Sequence, residues 1–270
     1  MLEIVRPISA ASARVAIFDF DGTLSLIRTG WVEVMVPMMV GLLLDLKTGE
    51  SEADLRKVVD EFVWRLTGKE TIYQMMALAD EITARGGSPL DPRIYKQQYL
   101  DLLWETIKTR VEALRSGKAS PEDHLVPGSR PLLESLKARG IKMYLASGTD
   151  HAFVMDEANL LDISKYFDGG VFGALDDLKA FSKAILIQKI LSTAEFTGEE
   201  LLGFGDGYVE IEEVKKAGGV TVGVATTEPE CRVVDDWKRK RLIGVGADYI
   251  VPNFEQHEKL LATLFANGQA

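Results

Sequence analysis

The sequence predicts an α/β fold in which a helical segment interrupts a parallel β-sheet. Residues 15–18 form an apolar, β-rich run without alternation, which is typical of a strand covered on both faces. Residues 27–125 show the three- and four-residue spacing of amphipathic helices and no convincing strand. From residue 126 onward, short apolar strands alternate with helical segments, which indicates a parallel sheet with crossover helices.

The composition excludes several classes of protein. A net charge of −10 argues against nucleic acid as the partner, because binding to a phosphate backbone relies on clustered Lys and Arg. Cys231 is the single cysteine, so an intramolecular disulfide is impossible and a reducing compartment fits. The most apolar segment, residues 31–46, contains Glu33 and Asp45 and is too short between charges to cross a membrane. Residues 1–14 lack a signal-type apolar run. We therefore expect a cytoplasmic protein with no membrane partner.

The first predicted strand runs into two acids, Asp19 and Asp21, at the carboxyl end of the sheet. Ligands of open parallel sheets bind at this edge. Two carboxylates so close together repel each other unless a cation neutralises them, and a hard divalent ion held by oxygen ligands is the usual solution. Mg²⁺ is the first choice. The alternative is that Asp21-Gly22 is an ordinary turn after a strand.

Four helices are expected next. They span residues 31–46, 55–66, 71–85 and 92–114, and Ser51 is suited to cap the second. Gly86-Gly87 and Gly117 would end the third and fourth helices. Each helix carries an apolar stripe, as in Leu55, Val58, Val59, Phe62, Val63 and Leu66. The pattern predicts a helical bundle inserted directly after the aspartate pair.

The second half of the chain predicts further strands and helices in alternation. We expect strands at residues 141–146, 170–173, 201–205, 220–225 and 247–251. Helices are expected at residues 129–139, 152–160, 182–191, 209–217 and 254–265. Residues 228–241 are charged and are expected to form a surface helix or loop over the sheet edge. Ser147-Gly148-Thr149 and Asp206-Gly207 each follow a strand. In isolation, either could be only a turn or a helix cap.

Because the strands are parallel, their polar ends should meet at one edge. In this order, the residues resemble the four motifs of the haloacid dehalogenase superfamily of phosphatases. The resemblance implies that Asp19 is the nucleophile and Asp21 the general acid and base. It implies that Ser147 and Gly148 bind the phosphoryl group together with Lys183, and that the metal ligands are Asp19, Asp21, Asp206 and Glu210.

Three details qualify the match. The dehalogenases of the superfamily lack an acid at the position of Asp21, so this chain favours phosphoryl chemistry. Glu210 stands where Asp is more usual, so it could reach the metal through water, and Gly207 stands where a hydroxyl residue is often found. Lys179 is an alternative to Lys183, but the spacing between Lys183 and Asp206 fits the superfamily better.

The resemblance implies a Rossmann-like, doubly wound parallel sheet with an all-helical cap. The core domain would comprise residues 1–26 and 126–270, and the cap residues 27–125, placed as a lid over the strand ends. Arg28, Trp31 and Arg65 could contact substrate; individually, Trp31 is more typical of a core residue and the two arginines of surface residues.

The predicted function is hydrolysis of a phosphomonoester. We expect an Mg²⁺-dependent phosphatase that acts on a small phosphorylated metabolite through an aspartyl-phosphate intermediate. A sugar-phosphate mutase or phosphotransferase would use the same intermediate, and a non-catalytic regulatory protein could bind a phosphorylated metabolite in the same pocket. The sequence leaves the substrate and the oligomeric state open.

Overall fold

One seven-stranded sheet organises the described part of the chain. The computed structural model describes residues 1–175, 182–192 and 196–266. The strands are β1 (Glu3–Ile4), β2 (Val15–Phe18), β3 (Lys142–Asp150), β4 (Gly170–Ala174), β5 (Leu201–Gly205), β6 (Val220–Val224) and β7 (Tyr249–Val251). Their order across the sheet is β1-β7-β6-β5-β2-β3-β4, and only β1 is antiparallel to its neighbour. The predicted α/β fold with a parallel sheet is confirmed.

Strand β2 lies at the centre of the functional edge. Phe18 pairs with Leu145 of β3 on one side and with Phe204 of β5 on the other. All four residues of β2 are fully buried, and alternate residues belong to two separate apolar clusters, one on each face of the sheet. Burial on both faces explains why the sequence of this strand shows no polar alternation.

Between β2 and β3 the chain forms a helical insertion, residues 27–125. Its helices are α1 (Trp31–Leu44), α2 (Glu52–Leu66), α3 (Thr71–Ala84) and α4 (Pro92–Arg115). The Ser51 hydroxyl accepts a hydrogen bond from the backbone N–H of Asp54, so it caps α2 as predicted. Helix α1 packs against α2 and α4, and α4 also contacts the first helix after β3. The division into a core domain and a cap domain stays a prediction.

The remaining helices follow the predicted alternation. They are α5 (Ser129–Ala138), α6 (His151–Leu160), α7 (Lys183–Ser192), α8 (Tyr208–Lys216), α9 (Asp236–Gly244) and α10 (His257–Leu264). The main difference lies in β3, which continues past the predicted end at residue 146 to Asp150. The pairing of β3 with β4 shifts register between Ala146 and Asp150, so the polar residues there remain in the strand but leave the regular ladder.

Strand β1 was missed by the sequence analysis. Its two residues, Glu3 and Ile4, pair with Ile250 and Tyr249 at the edge of the sheet. So short a segment shows no periodicity, and its conformation depends on the partner strand. No helix in the described ranges is both long enough and apolar enough to span a membrane.

Candidate active site

The carboxyl ends of the three central strands bring the predicted site residues to one edge. Asp19 follows β2, Ser147 lies in the last part of β3, and Asp206 follows β5. Together with Asp21 and Lys183 they line a cavity of about 660 Å³. The helical insertion provides the opposite wall, through residues that include Trp31, Trp64, Lys69, Gln74, Lys96, Tyr99 and Arg110. The cavity is therefore shared between the sheet edge and the insertion.

Asp19 is buried and paired with a lysine. Its Oδ1 accepts a hydrogen bond from Lys183 Nζ at 2.8 Å, and the same ammonium donates to Glu210 Oε2 at 2.7 Å. Burial raises the pKa of Asp19 well above its usual value against the opposing charge of Lys183, and Glu210 and Asp206 raise it further. Burial alone would lower the pKa of Lys183, but the two carboxylates outweigh it and raise that pKa. Lys183 is thus held as a cation beside Asp19.

Glu210 has protein donors on both oxygens. Oε1 accepts the backbone N–H of Gly207 at 2.9 Å, and Oε2 accepts from Lys183. A Cβ atom at residue 205 would lie 1.8 Å from Glu210 Oε1, so the side chain occupies space that Gly205 leaves open. Carboxylate oxygens of Asp19, Asp206 and Glu210 nevertheless all lie within 4.8 Å of one another, which is a group that could hold a metal ion.

The two oxygens of Asp21 have different surroundings. Oδ2 accepts hydrogen bonds from Thr149 Oγ1 at 2.8 Å and Ser147 Oγ at 3.3 Å. Oδ1 is buried without a hydrogen-bond partner among the described residues, and Arg28 Nε lies 3.9 Å from it. Burial raises the pKa of Asp21, against the opposing effect of Arg28. A raised pKa favours the protonated form that a general acid requires.

Thr149 was not predicted as a site residue. The sequence analysis ended β3 at residue 146 and named only Ser147 and Gly148 of the three residues that follow as site residues. Because β3 continues, Ser147 and Thr149 stand two residues apart in a strand and face the same side, where both reach Asp21. The two-residue spacing of the hydroxyls was the available signal.

Asp206 is held by Thr23 and by Lys238, which belongs to the segment that the sequence analysis placed on the surface. Its backbone N–H donates to Thr23 Oγ1 at 2.9 Å, and its Oδ2 accepts from Lys238 Nζ at 2.9 Å. Lys238 also donates to Glu228 Oε1 at 3.0 Å, and its side chain is only 12% exposed. Most of segment 228–241 is exposed or part-exposed, as expected, whereas these two side chains turn inward to Asp206 and to each other. Charged residues are spread along segment 228–241, so its pattern does not show which of them turn inward.

A turn of the helical insertion, residues 67–70, contacts two site loops. A Cβ atom at residue 148 would lie 2.5 Å from the carbonyl oxygen of Lys69, and one at residue 207 would lie 2.9 Å from Gly68 Cα. Neither distance leaves room for a side chain. This contact explains why Gly207 replaces a hydroxyl residue at its position, since only glycine fits against Gly68.

Gly148→Ala tests whether this contact determines the position of the turn at residues 67–70. We expect kcat/KM to fall about 10- to 100-fold, because the new Cβ pushes residues 67–70 away and misplaces the groups that line the cavity. The thermal midpoint should change little. Gly41→Ala is the matched control, since no atom lies within 4 Å of a Cβ at that helical position. An unchanged kcat/KM in Gly148→Ala would show that the turn moves freely.

The three residues considered for substrate contact differ in their positions. Arg28 is 7% exposed and lines the cavity, so its expected surface position is wrong. Trp31 is half-buried, lines the cavity and packs against the main apolar cluster. Arg65 is exposed, as expected. Lys179, the alternative to Lys183, lies outside the described residues.

Comparison with known proteins agrees with this geometry. The family model described as "haloacid dehalogenase-like hydrolase" matches residues 13–218. The chain belongs to this family. The family resemblance seen in the sequence is therefore confirmed, and so is the prediction that the protein is an enzyme of the hydrolase class.

Individual relatives of this haloacid dehalogenase-like hydrolase are distant. The phosphorylated carbohydrates phosphatase of Thermotoga maritima is 32% identical over 93 residues, which cover 34% of this chain and 42% of that enzyme. The matched region thus spans less than half the length of this relative.

Two solved structures share the fold. The β-phosphoglucomutase of Clostridium difficile has a TM-score of 0.60 and 16% identity, over 93% of this chain and 97% of that one. A structure described as a predicted phosphoglycolate phosphatase from Haemophilus somnus has a TM-score of 0.56 and 16% identity, over 92% and 98% of the two chains. At this level of identity the likeness shows the fold alone.

Proposed function

We propose that this haloacid dehalogenase-like hydrolase is a phosphomonoester hydrolase in which Asp19 is the nucleophile. The observation that carries the proposal is the buried Asp19 carboxylate, which lies against the ammonium of Lys183 at the end of the central strand. A second carboxylate, Asp21, lines the same cavity and has one oxygen without a hydrogen-bond partner among the described residues. This combination supplies a nucleophile, a fixed positive charge and a separate acid.

In the proposed reaction, an oxygen of Asp19 attacks phosphorus while the bond to the leaving oxygen breaks. Asp21 donates a proton to the leaving oxygen, so the product departs as an alcohol. Asp21 then takes a proton from water, which attacks the aspartyl-phosphate and releases inorganic phosphate. Ser147, Gly148 and Lys183 bind the phosphoryl oxygens, and the positive charge of Lys183 offsets their repulsion from Asp19.

Mg²⁺ is the proposed cofactor. The three grouped carboxylates of Asp19, Asp206 and Glu210 are hard oxygen donors, which suit this ion. Bound Mg²⁺ would neutralise negative charge on the nucleophile and on the phosphoryl group. The Asp21 side chain is directed to Ser147 and Thr149 and is not in this group. Its predicted metal role stays a prediction.

We further propose that the substrate is a small phosphorylated metabolite of the carbohydrate type, and that the helical insertion acts as a cap. The support is the name of the Thermotoga maritima relative and the cavity itself, which residues of the insertion line together with the sheet edge. Trp31 and Trp64 contribute aromatic surface to the wall, and Gln74 and Lys96 contribute polar groups. Such a wall suits a leaving group with both apolar faces and hydroxyls.

The test is a time course with a panel of sugar monophosphates, in which inorganic phosphate and the organic product are both measured. A hydrolase releases phosphate in equal amount to the dephosphorylated product. Isomerised product without free phosphate would support the mutase instead. Binding without any turnover, in the presence of Mg²⁺, would support the non-catalytic alternative and would overturn the proposed activity.

Metal binding provides an independent prediction. Mg²⁺ should raise the thermal midpoint of the wild-type protein, because a ligand of the folded state stabilises it by mass action. Asp206→Asn should weaken this effect, with an apparent Mg²⁺ affinity at least about tenfold lower, which corresponds to about 1.4 kcal/mol. Chelation with EDTA should stop turnover of the wild-type protein.

Two further variants sharpen this metal test. Glu212→Gln is the control, since this α8 carboxylate is part-exposed and pairs with Lys216. Glu210→Gln tests whether Glu210 also binds the metal. If Glu210 is a metal ligand, its variant should lose Mg²⁺ affinity as Asp206→Asn does, whereas an unchanged affinity would leave Glu210 only its contacts with Lys183 and Gly207. Full Mg²⁺ affinity in Asp206→Asn would contradict the proposed site.

A further inference from the structure

A second lysine, Lys238, lies at the acidic group that is proposed to bind Mg²⁺. Its Nζ donates to Asp206 Oδ2 at 2.9 Å and to Glu228 Oε1 at 3.0 Å. The three side chains line the cavity and are only 11–19% exposed. Neither Lys238 nor Glu228 has a part in the proposed reaction. Their place beside a proposed metal ligand therefore calls for a role of its own.

The Lys238–Glu228 pair is held in place by other elements of the fold. At the start of α9, Asp235 Oδ1 accepts a hydrogen bond from the backbone N–H of Lys238 at 2.8 Å, so it caps this helix. Glu228 follows β6, and its Oε2 accepts a hydrogen bond from Thr29 Oγ1 at 3.0 Å. Thr29 belongs to the segment that leads into α1. The pair is therefore fixed by contacts from α9 and from the helical insertion.

Gly22 provides the space in which the two carboxylates approach each other. A Cβ atom at this residue would lie 2.4 Å from Asp206 Oδ2 and 2.9 Å from Glu228 Oε1. Both oxygens therefore lie where a side chain would otherwise be. Two carboxylate oxygens this close together repel each other, and the ammonium of Lys238, which contacts both, offsets the repulsion. Lys238 thus occupies a position that suits a cation.

Contact with Lys238 limits how many oxygens this edge of the cavity can offer to a metal ion. Because Lys238 engages Oδ2 of Asp206, this acid offers its other oxygen and binds through one atom. Both oxygens of Glu228 are engaged, by Lys238 and Thr29, and Glu228 lies outside the described group of Asp19, Asp206 and Glu210. Ca²⁺ takes more oxygen ligands than Mg²⁺ and often binds both oxygens of a carboxylate, whereas Mg²⁺ usually keeps several waters. A site with few available oxygens therefore suits Mg²⁺.

We propose that Lys238, together with Glu228, determines the specificity of the metal group and favours Mg²⁺ over Ca²⁺. The proposal rests on the proposed binding of Mg²⁺ by the grouped carboxylates. Lys238 engages one oxygen of Asp206 and one of Glu228, so the larger ion finds too few oxygen ligands. Lys238 needs no contact with the substrate in this role, because it acts through the two acids.

The ratio of two dissociation constants isolates this role from a merely structural one. Removal of a lysine beside the group strengthens the binding of any divalent cation through charge alone, and poorer support of Asp206 weakens the binding of any such cation. Because Mg²⁺ and Ca²⁺ carry the same charge, both effects largely cancel in the ratio of the Kd for Ca²⁺ to the Kd for Mg²⁺. A change in this ratio therefore reports oxygen ligands that are gained or lost.

The experiment measures the thermal midpoint of the EDTA-treated, dialysed protein against the concentration of each ion, which gives both apparent Kd values. In Lys238→Met, the ratio should fall at least about tenfold in favour of Ca²⁺, because oxygens of Asp206 and Glu228 become available to the ion. Glu228→Leu in the same background should return the ratio part of the way to the wild-type value, since one of the gained ligands is then absent.

Lys240→Met is the matched control. Lys240 is an exposed lysine of the same helix, α9, so this variant makes the same change in net charge away from the cavity. Both apparent Kd values, and hence their ratio, should stay at the wild-type values. Circular dichroism checks that each variant is folded before the ions are added.

The outcomes separate this inference from the proposed function. An unchanged ratio in folded Lys238→Met, or the same lowered ratio with and without Glu228, would overturn the role of the pair while leaving Mg²⁺-dependent hydrolysis in place. If Lys238→Met does not fold, Lys238→Gln takes its place, because it keeps a polar group without the charge, and an unchanged ratio there would overturn the inference. A wild-type protein whose thermal midpoint responds to neither ion would overturn the proposed cofactor, and the inference with it.

Discussion

Asp19→Asn is expected to reduce phosphatase turnover by at least about 10⁴-fold while the protein remains folded, because the amide cannot form the aspartyl-phosphate. The fold should survive, since Asn has nearly the same size and its carbonyl oxygen can still accept the hydrogen bond from Lys183. The contact of Lys183 with Glu210 also remains. Release of phosphate from p-nitrophenyl phosphate measures the activity, and thermal unfolding measures the stability.

A second readout makes the Asp19 prediction specific for the nucleophile. Rapid acid quenching of the wild-type protein during turnover of a radiolabelled phosphomonoester should trap label on the protein, and Asp19→Asn should trap none. Asp80→Asn, which changes an exposed carboxylate of α3, is the control and should behave as wild type. Wild-type-like turnover in Asp19→Asn would disprove the mechanism.

Replacement of Lys183 should impair both catalysis and stability. Lys183→Met removes the cation that contacts Asp19 and Glu210, and Glu210 is fully buried. We expect a loss of about 10²- to 10³-fold in kcat/KM, the usual effect of removing one group that stabilises the transferring oxygens. The free energy of unfolding should fall by about 3–5 kcal/mol, because a buried carboxylate pair is left without its cation.

A double variant separates the two effects of Lys183. Lys183→Met combined with Glu210→Gln removes one of the two buried charges that the single variant leaves unpaired, so part of the stability should return while activity remains low. Lys179→Ala is the comparison for the sequence-based choice between the lysines and should lose far less activity than Lys183→Ala. The reverse order would mean that Lys179 is the site lysine.

The Glu210 side chain illustrates how a motif and its geometry complement each other. The sequence analysis placed Glu210 at the metal, with a reservation about its length, and its carboxylate does lie with those of Asp19 and Asp206. The structure adds that each oxygen has its own donor: Oε2 accepts a hydrogen bond from Lys183, and Oε1 accepts one from the backbone N–H of Gly207. These contacts follow from the absence of a side chain at Gly205, which opens the space that the longer acid fills.

The sequence by itself determined the local structure and the edge at which the site lies. Three features could be predicted from local patterns: the helix periodicity, the Ser51 cap and the apolar strand β2. Each depends on the residue types within a short stretch of sequence. The sequence also places Asp19, Ser147 and Asp206 after predicted strands. Because the carboxyl ends of parallel strands lie at one edge of the sheet, these residues were expected to lie close together there.

Only the tertiary structure decided which distant groups meet the site residues. The hydrogen-bonded side chains of Arg28 and Glu157 are 129 residues apart, and Lys238 reaches Asp206 from a segment in which charged residues are spread along the sequence. The fit of Gly207 against Gly68 likewise depends on how the helical insertion packs on the sheet edge. A local pattern shows that a side chain is charged or small, whereas its partner is set by the packing of segments that are remote in sequence. This is why the surroundings of Asp21 and Asp206 could not be read from the motifs that contain them.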